Sequence, residues 1–165
     1  MSLHTSLPLL LGLDTATRQA TVAVSRGHEV LAEASVQVTT HSEGLLLLIQ
    51  QTLERAGVAE VSALSAVVCG RGPGSFTGLR IGLATAKGLC LAAGLPLLAV
   101  SSMLPLGRGA WRWLAQQQGR SSDTLVAAVL DARRKEVFCG LFRGGEPQGE
   151  ERLLTPAGAA AWLGG

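Results

Sequence analysis

The sequence predicts an α/β fold, and three stretches carry that prediction. Residues 7–14, Leu-Pro-Leu-Leu-Leu-Gly-Leu-Asp, form a nearly continuous apolar run closed by an acid, the pattern of a buried central strand. Residues 64–100 read as strand, glycine loop, helix and strand, a unit whose two strands must be parallel. Residues 125–130 repeat the first device, an apolar run closed by Asp131. With 165 residues, 47% of them apolar, the chain can bury a sizeable core in one compact domain or two small lobes.

Each element rests on local chemistry. After the first strand, Ala20–Ser25 and Glu29–Val38 alternate in hydropathy about the Arg26-Gly27-His28 turn, giving an antiparallel three-stranded meander. A helix is predicted over 42–56, with Ser42 as N-cap and Gly57 just past its end. Five consecutive apolar residues, Leu45, Leu46, Leu47, Leu48 and Ile49, cover every face of that helix, so one side packs on the sheet and the other needs a second cover. Strand 64–69, loop 70–74, helix 76–93 and strand 95–100 come next. Residues 103–118 are helical despite Pro105, Gly107 and Gly109, residues 119–123 connect, and 125–130 and 136–142 form a hairpin about 132–135. The tail from Gly144 offers only a short helix near 156–163, and a lobe boundary at 102 divides the chain into lobes 1–102 and 103–165. Asp14 and Asp131 stand at equivalent points of the two lobes, a topological correspondence without a sequence repeat.

Composition narrows the function classes. A net charge of +2 with 16% charged residues falls far short of the basic excess of a protein that holds a phosphate backbone unaided. Twelve of the fourteen cations are arginine, a bias spread along the whole chain. Cys69, Cys90 and Cys139 are widely spaced inside apolar stretches and read as buried, reduced thiols. No signal-peptide pattern and no run of eighteen apolar residues is present, so a soluble, cytoplasmic protein is expected.

The most distinctive segment runs from Gly70 to Gly82, Gly-Arg-Gly-Pro-Gly-Ser-Phe-Thr-Gly-Leu-Arg-Ile-Gly. A glycine loop ahead of a helix can receive an anion, yet no Lys follows Gly78 and Ser75 occupies the third glycine position of the dinucleotide pattern. Gly78, Gly82 and Ala86 recur every four residues, with Cys90 next in line, and leave one helix face almost without side chains. Together with Leu45, Leu46, Leu48 and Ile49, that stripe is expected to form a helix-on-helix interface with another subunit. Asp14, Thr15, Thr17, Gly72, Gly74, Ser75 and Asp131 are the candidate residues of degenerate phosphate loops. Thr15, Ala16 and Thr17 follow Asp14 where a phosphate-binding turn needs glycine, and Ala132-Arg133-Arg134 lacks glycine too. Asp14 is read as a turn carboxylate, with a Mg²⁺-facing role as the alternative. His4, His28 and His41 form no metal pair, His41 reading as a surface or capping residue, and no catalytic Ser-His-Asp or Cys-His set is present. Arg133-Arg134-Lys135 is read as a solvated hairpin tip or a phosphate contact, and Trp111 and Trp113 as cover for the core.

The run Gly70–Gly82 closely resembles the signature of the TsaB family of tRNA threonylcarbamoyladenosine biosynthesis proteins. Leu13-Asp14-Thr15-Ala16-Thr17, Val100-Ser101-Ser102 and Leu130-Asp131-Ala132-Arg133 with Glu136-Val137-Phe138 resemble further landmarks of that family, in order. The resemblance implies an actin/hexokinase/heat-shock-chaperone-like (ASKHA) fold, with the first lobe complete and the second truncated, since relatives usually continue past Gly165. It implies a non-catalytic subunit beside a homologous catalytic TsaD, which transfers a threonylcarbamoyl group to the adenosine next to the tRNA anticodon. A TsaE-type ATPase joins the assembly, and the chain forms a homodimer when alone. No cofactor is expected on the chain itself; ATP or ADP with Mg enters only through the partner subunits, and tRNA is contacted only indirectly. The alternative is an autonomous ATPase or glycoprotease-like enzyme of the same fold.

Overall fold

The computed structural model describes residues 7–37, 43–118 and 123–164. The chain divides into two compact units: the first runs to Arg71 and takes up Ser75–Val100, and the second comprises Gly72–Gly74 and the chain from Ser101 onward. His4, His41, Ser42 and the connection 119–122 lie outside the described residues.

The first unit is one five-stranded sheet in the order β3-β2-β1-β4-β5. Strands β1 (Leu9–Asp14), β2 (Gln19–Arg26) and β3 (Glu29–Gln37) form the expected antiparallel meander, while β4 (Ala66–Gly70) and β5 (Leu97–Val100) extend it in parallel. Leu11 pairs with Val24 on one side and Val67 on the other, and Leu13 with Val22 and Cys69. These residues share one sheet face, and all six are at most 4% exposed. Helices α1 (Glu43–Arg55) and α2 (Phe76–Ala93) pack on this sheet, α1 against β2 and β3 and α2 against β1, β4 and β5.

Helix ends obey the sequence signals. α1 stops in a Schellman motif at Gly57 (φ 70°): Val58 N–H donates to the Leu53 carbonyl (2.9 Å) and Gly57 N–H to that of Glu54 (3.0 Å). Val58 and Leu53, 7% exposed each, supply the apolar contact of that motif. α2 starts at the N-cap Ser75 and ends at Gly94, whose φ of 65° suits glycine. A short 3₁₀ turn at Val61–Ala63, absent from the expected elements, carries the chain into β4.

In the second unit, α3 (Met103–Gln118) lies against the hairpin of β6 (Leu125–Arg133) and β7 (Glu136–Arg143). Met103, Val126, Ala128 and Phe142 form its buried core, with Trp111 and Leu130 packed around them. A Cβ on Gly107 would overlap the Phe142 ring, so a residue that weakens α3 as a helix former is what lets α3 approach the sheet. Trp113 corrects an expectation: it is 58% exposed and covers no core, because it falls on the outer side of α3. The tail holds more than the expected short helix. β8 (Glu146–Pro147) and β9 (Arg152–Leu154) both pair with β7, ahead of α4 (Pro156–Gly164). Thr155 caps α4 by accepting from Gly158 N–H at 3.1 Å, and Pro156 stands at its first position. No described helix is long and apolar enough to cross a membrane.

Candidate functional site

The turn after β1 is where a phosphate-binding member of such a fold would aim its backbone amides at a ligand. Here the turn is closed on itself. Asp14 Oδ1 accepts the Ala16 N–H at 2.7 Å, an Asx turn, so the Asp14 carboxylate serves the backbone two residues on. The Ala16 carbonyl accepts the Ser75 N–H at 2.7 Å, tying the turn to the start of α2. Thr15 is 2% exposed and its hydroxyl donates to the Gly78 carbonyl at 2.8 Å. Thr17 is exposed, and its hydroxyl both donates to the Gln19 carbonyl (3.0 Å) and accepts the Gln19 N–H (3.1 Å).

Thr15 also explains the glycines of α2. A Cβ on Gly78 would overlap the Thr15 carbonyl oxygen and lie 3.3 Å from its carbonyl carbon. On Gly82 a Cβ would overlap the Thr15 hydroxyl. The small residues therefore admit the turn after β1, within the same unit, to the first turns of α2. Gly78, Gly82, Ala86 and Cys90 are all buried. This corrects the expectation that the stripe faces another subunit, because the face is already covered. Leu45, Leu48 and Ile49 are corrected likewise: at 5%, 8% and 2% exposure they belong to the sheet's own core. Of the seven expected interface residues only Leu46 is exposed (54%), with Leu47 beside it (54%). Nothing in the apolar run itself distinguishes the buried leucines from the exposed ones; the docking angle of α1 does.

The remaining candidate phosphate-loop residues make local contacts, each within its own unit. Ser75 caps α2 by accepting the Gly78 N–H at 3.3 Å. Gly72, counted with the second unit, donates to Ser102 Oγ (3.2 Å) and accepts the Ser102 N–H (2.8 Å). Gly74 (φ 157°) completes that loop. Asp131 repeats the device of Asp14: its Oδ1 accepts the Arg133 N–H at 2.7 Å.

None of the three cysteines is an activated thiolate. Burial pushes the Cys69 thiol up to about 11, helped by the Asp14 charge and by Cys90, so it is a protonated core residue at neutral pH. Burial raises Cys90 and Cys139 as well, and all three cysteines are free. Among the described residues no group of three His, Cys, Asp or Glu side chains is placed to hold a metal ion.

A meander joined to parallel strands through a crossover helix, with an acid closing the first strand, places the chain in the ASKHA class of α/β proteins. A ROK hexokinase from Thermus thermophilus superposes on it with a TM-score of 0.51 at 20% identity, over 86% of this chain and 49% of that one. The family model described as "TsaD: tRNA N6-adenosine threonylcarbamoyltransferase" matches residues 12–154. The tRNA threonylcarbamoyladenosine biosynthesis protein TsaB of Escherichia coli (strain K12) is 36% identical over 137 residues, 83% of this chain and 56% of that protein. The structure of YeaZ from Pseudomonas aeruginosa aligns with a TM-score of 0.75 at 36% identity, over 91% of this chain and 68% of that one. The chain belongs to the TsaB/YeaZ family. It spans about half the length of the curated TsaB relatives it matches.

Proposed function

We propose that the chain acts in threonylcarbamoyladenosine modification of tRNA as the non-catalytic partner of a TsaD-type transferase. The observation that carries this reading is the closed turn after β1. Its Ala16 amide is taken by Asp14, and Thr15 fills the space between turn and helix, so the unit keeps the ASKHA frame without an open phosphate cradle. A homologous subunit supplies the nucleotide and metal chemistry, with a TsaE-type ATPase in the same assembly. Leu46, the expected interface residue left exposed on α1, together with the exposed Leu47 beside it, is open to a homologous subunit or to a second copy of the chain. The test is threonylcarbamoyl transfer to an unmodified tRNA transcript by the TsaD-type and TsaE-type proteins, with and without this chain. Transfer that needs the chain supports the reading. ATP turnover by the chain alone, abolished by Asp14→Ala, would establish the autonomous-enzyme alternative.

A further inference from the structure

The hairpin tip between β6 and β7 is built against the conformational preference of its residues. Arg133, Arg134 and Lys135 have φ of 64°, 51° and 64°, and among the described residues they are the non-glycine residues with positive φ. Arg133 pairs with Glu136, which leaves Arg134-Lys135 as a two-residue loop with both φ positive, a geometry that strongly favours Asn-Gly or Gly-Gly. The neighbouring hairpin of the same sheet shows the usual solution. There Arg143 pairs with Glu146, and the two-residue loop is Gly144-Gly145, with φ of 61° and 82°. One sheet thus holds two tight turns of the same kind, one filled by glycines and one by cations that crowd their own backbone.

The three side chains are exposed and, among the described residues, form no ion pair. Two acids flank the tip in sequence, Glu136 directly after Lys135 and Asp131 two residues before Arg133, and Asp131 Oδ1 accepts the Arg133 N–H and so holds the tip in place. Folding explains the turn but not its occupants. Residues kept in a left-handed conformation that glycine would adopt without strain point to a task for the side chains.

We propose that Arg133, Arg134 and Lys135 form a contact for the phosphate backbone of a folded RNA. Three cations within one two-residue turn and its flank match closely spaced phosphates, and two guanidinium forks bind them bidentately. The proposal rests on the tRNA-modification reading and goes beyond the indirect contact expected from sequence: the chain adds its own grip on the tRNA next to that of its partner.

The experiment compares wild type with Arg134→Gly, Arg134→Lys, the pair Arg134→Asn/Lys135→Gly, and the triple change of 133–135 to glycine. The probe is an unmodified tRNA transcript, with affinity measured over a salt series for the chain alone and for its complex with the TsaD-type protein. Glycine variants should melt higher, by roughly 2–4 °C for each relieved residue. The triple variant should nevertheless bind tRNA at least about ten-fold more weakly, with the slope of log affinity against log salt lowered by roughly two to three. Arg134→Lys should keep the slope. Stabilised glycine variants that bind tRNA with unchanged affinity and slope would overturn the proposal, as would loss of TsaD-type partner binding with RNA affinity intact, which marks an acidic protein surface as the occupant. Unchanged RNA binding beside chain-dependent transfer sinks only this inference. Transfer that is independent of the wild-type chain sinks the functional reading instead.

Discussion

Alanine in place of glycine at three positions of α2 should give three different outcomes, because the same added methyl meets three different neighbours. In an open helix interior the change stabilises by about 0.5–1 kcal/mol through the unfolded chain's lost freedom. Gly88 is such a site, with nothing within 4 Å of an added Cβ. At Gly78 the Cβ runs into the Thr15 carbonyl oxygen, a backbone atom that can move only with the whole turn. Overpacking of this kind costs about 1–3 kcal/mol. The shift also endangers the buried Thr15–Gly78 hydrogen bond (2.8 Å), worth about 1 kcal/mol. Set against the propensity gain, Gly78→Ala should lose about 1–3 kcal/mol net. Gly82→Ala meets a side-chain hydroxyl instead, so Thr15→Ala should relieve it while leaving Gly78→Ala unrelieved. Urea unfolding of the single and double variants reads both the signs and the coupling. Should Gly78→Ala gain stability as Gly88→Ala does, the packing of the β1 turn on α2 is refuted. By the same geometry Gly82→Leu, with a far larger side chain against Thr15, should unfold the unit.

Other contacts of the fold make further outcomes measurable. The Cys69 thiol, at about 11 in the fold against 9.0 unperturbed, binds its proton more tightly when folded. Its contribution is therefore complete below pH 9 and lost as pH rises to about 11, a fall of roughly 2–3 kcal/mol. Urea midpoints across that window should fall less steeply in Cys69→Ala, and an equal slope in the two proteins would discount the thiol. Gly107→Ala should lower the melting temperature by colliding with the Phe142 ring, whereas Gly109→Ala, with open space, should raise it. Thr15→Gly should cost about 1–2 kcal/mol through the lost buried hydrogen bond and added chain freedom, and should not create ATP binding, because Asp14 still holds the Ala16 amide. Calorimetric binding of Mg-ATP by Thr15→Gly would mean that the Thr15 side chain alone closes the turn.

The sheet of the first unit was legible because its strands differ in kind: a continuous apolar run for β1 and alternation for β2. Glycines at 57 and 94 likewise mark the helix ends where the chain turns left-handed. The illegible features depend on contacts distant in sequence. Gly78, Gly82 and Ala86 read equally well as a surface for another helix or as room for something inside. Only the fold brings Thr15, 63 residues from Gly78, into that room. β8 and β9 were missed because a two-residue and a three-residue strand carry too little pattern, although Gly144-Gly145 was a turn signal in plain view. Trp113 was misplaced because bulk alone does not say which side of a helix faces the sheet.

Asp14 and Asp131 do one local job in two settings, and the residues just after each aspartate distinguish the two units. Each aspartate closes an apolar strand and takes the amide two residues on at 2.7 Å, so neither turn offers that amide to a ligand. After Asp14 come Thr15 and Ala16, 2% and 3% exposed, whose burial requires glycines in the facing helix. After Asp131 the backbone turns left-handed for three residues, at 133–135, and presents cations to solvent. An acid in the position of a nucleotide ligand thus has a sufficient explanation in each unit without a nucleotide. The cations behind Asp131 lack such an explanation within the fold, since the hairpin next to them shows that glycines make the same turn. The first turn is therefore accounted for by the interior of the protein, and the second calls for a partner outside it.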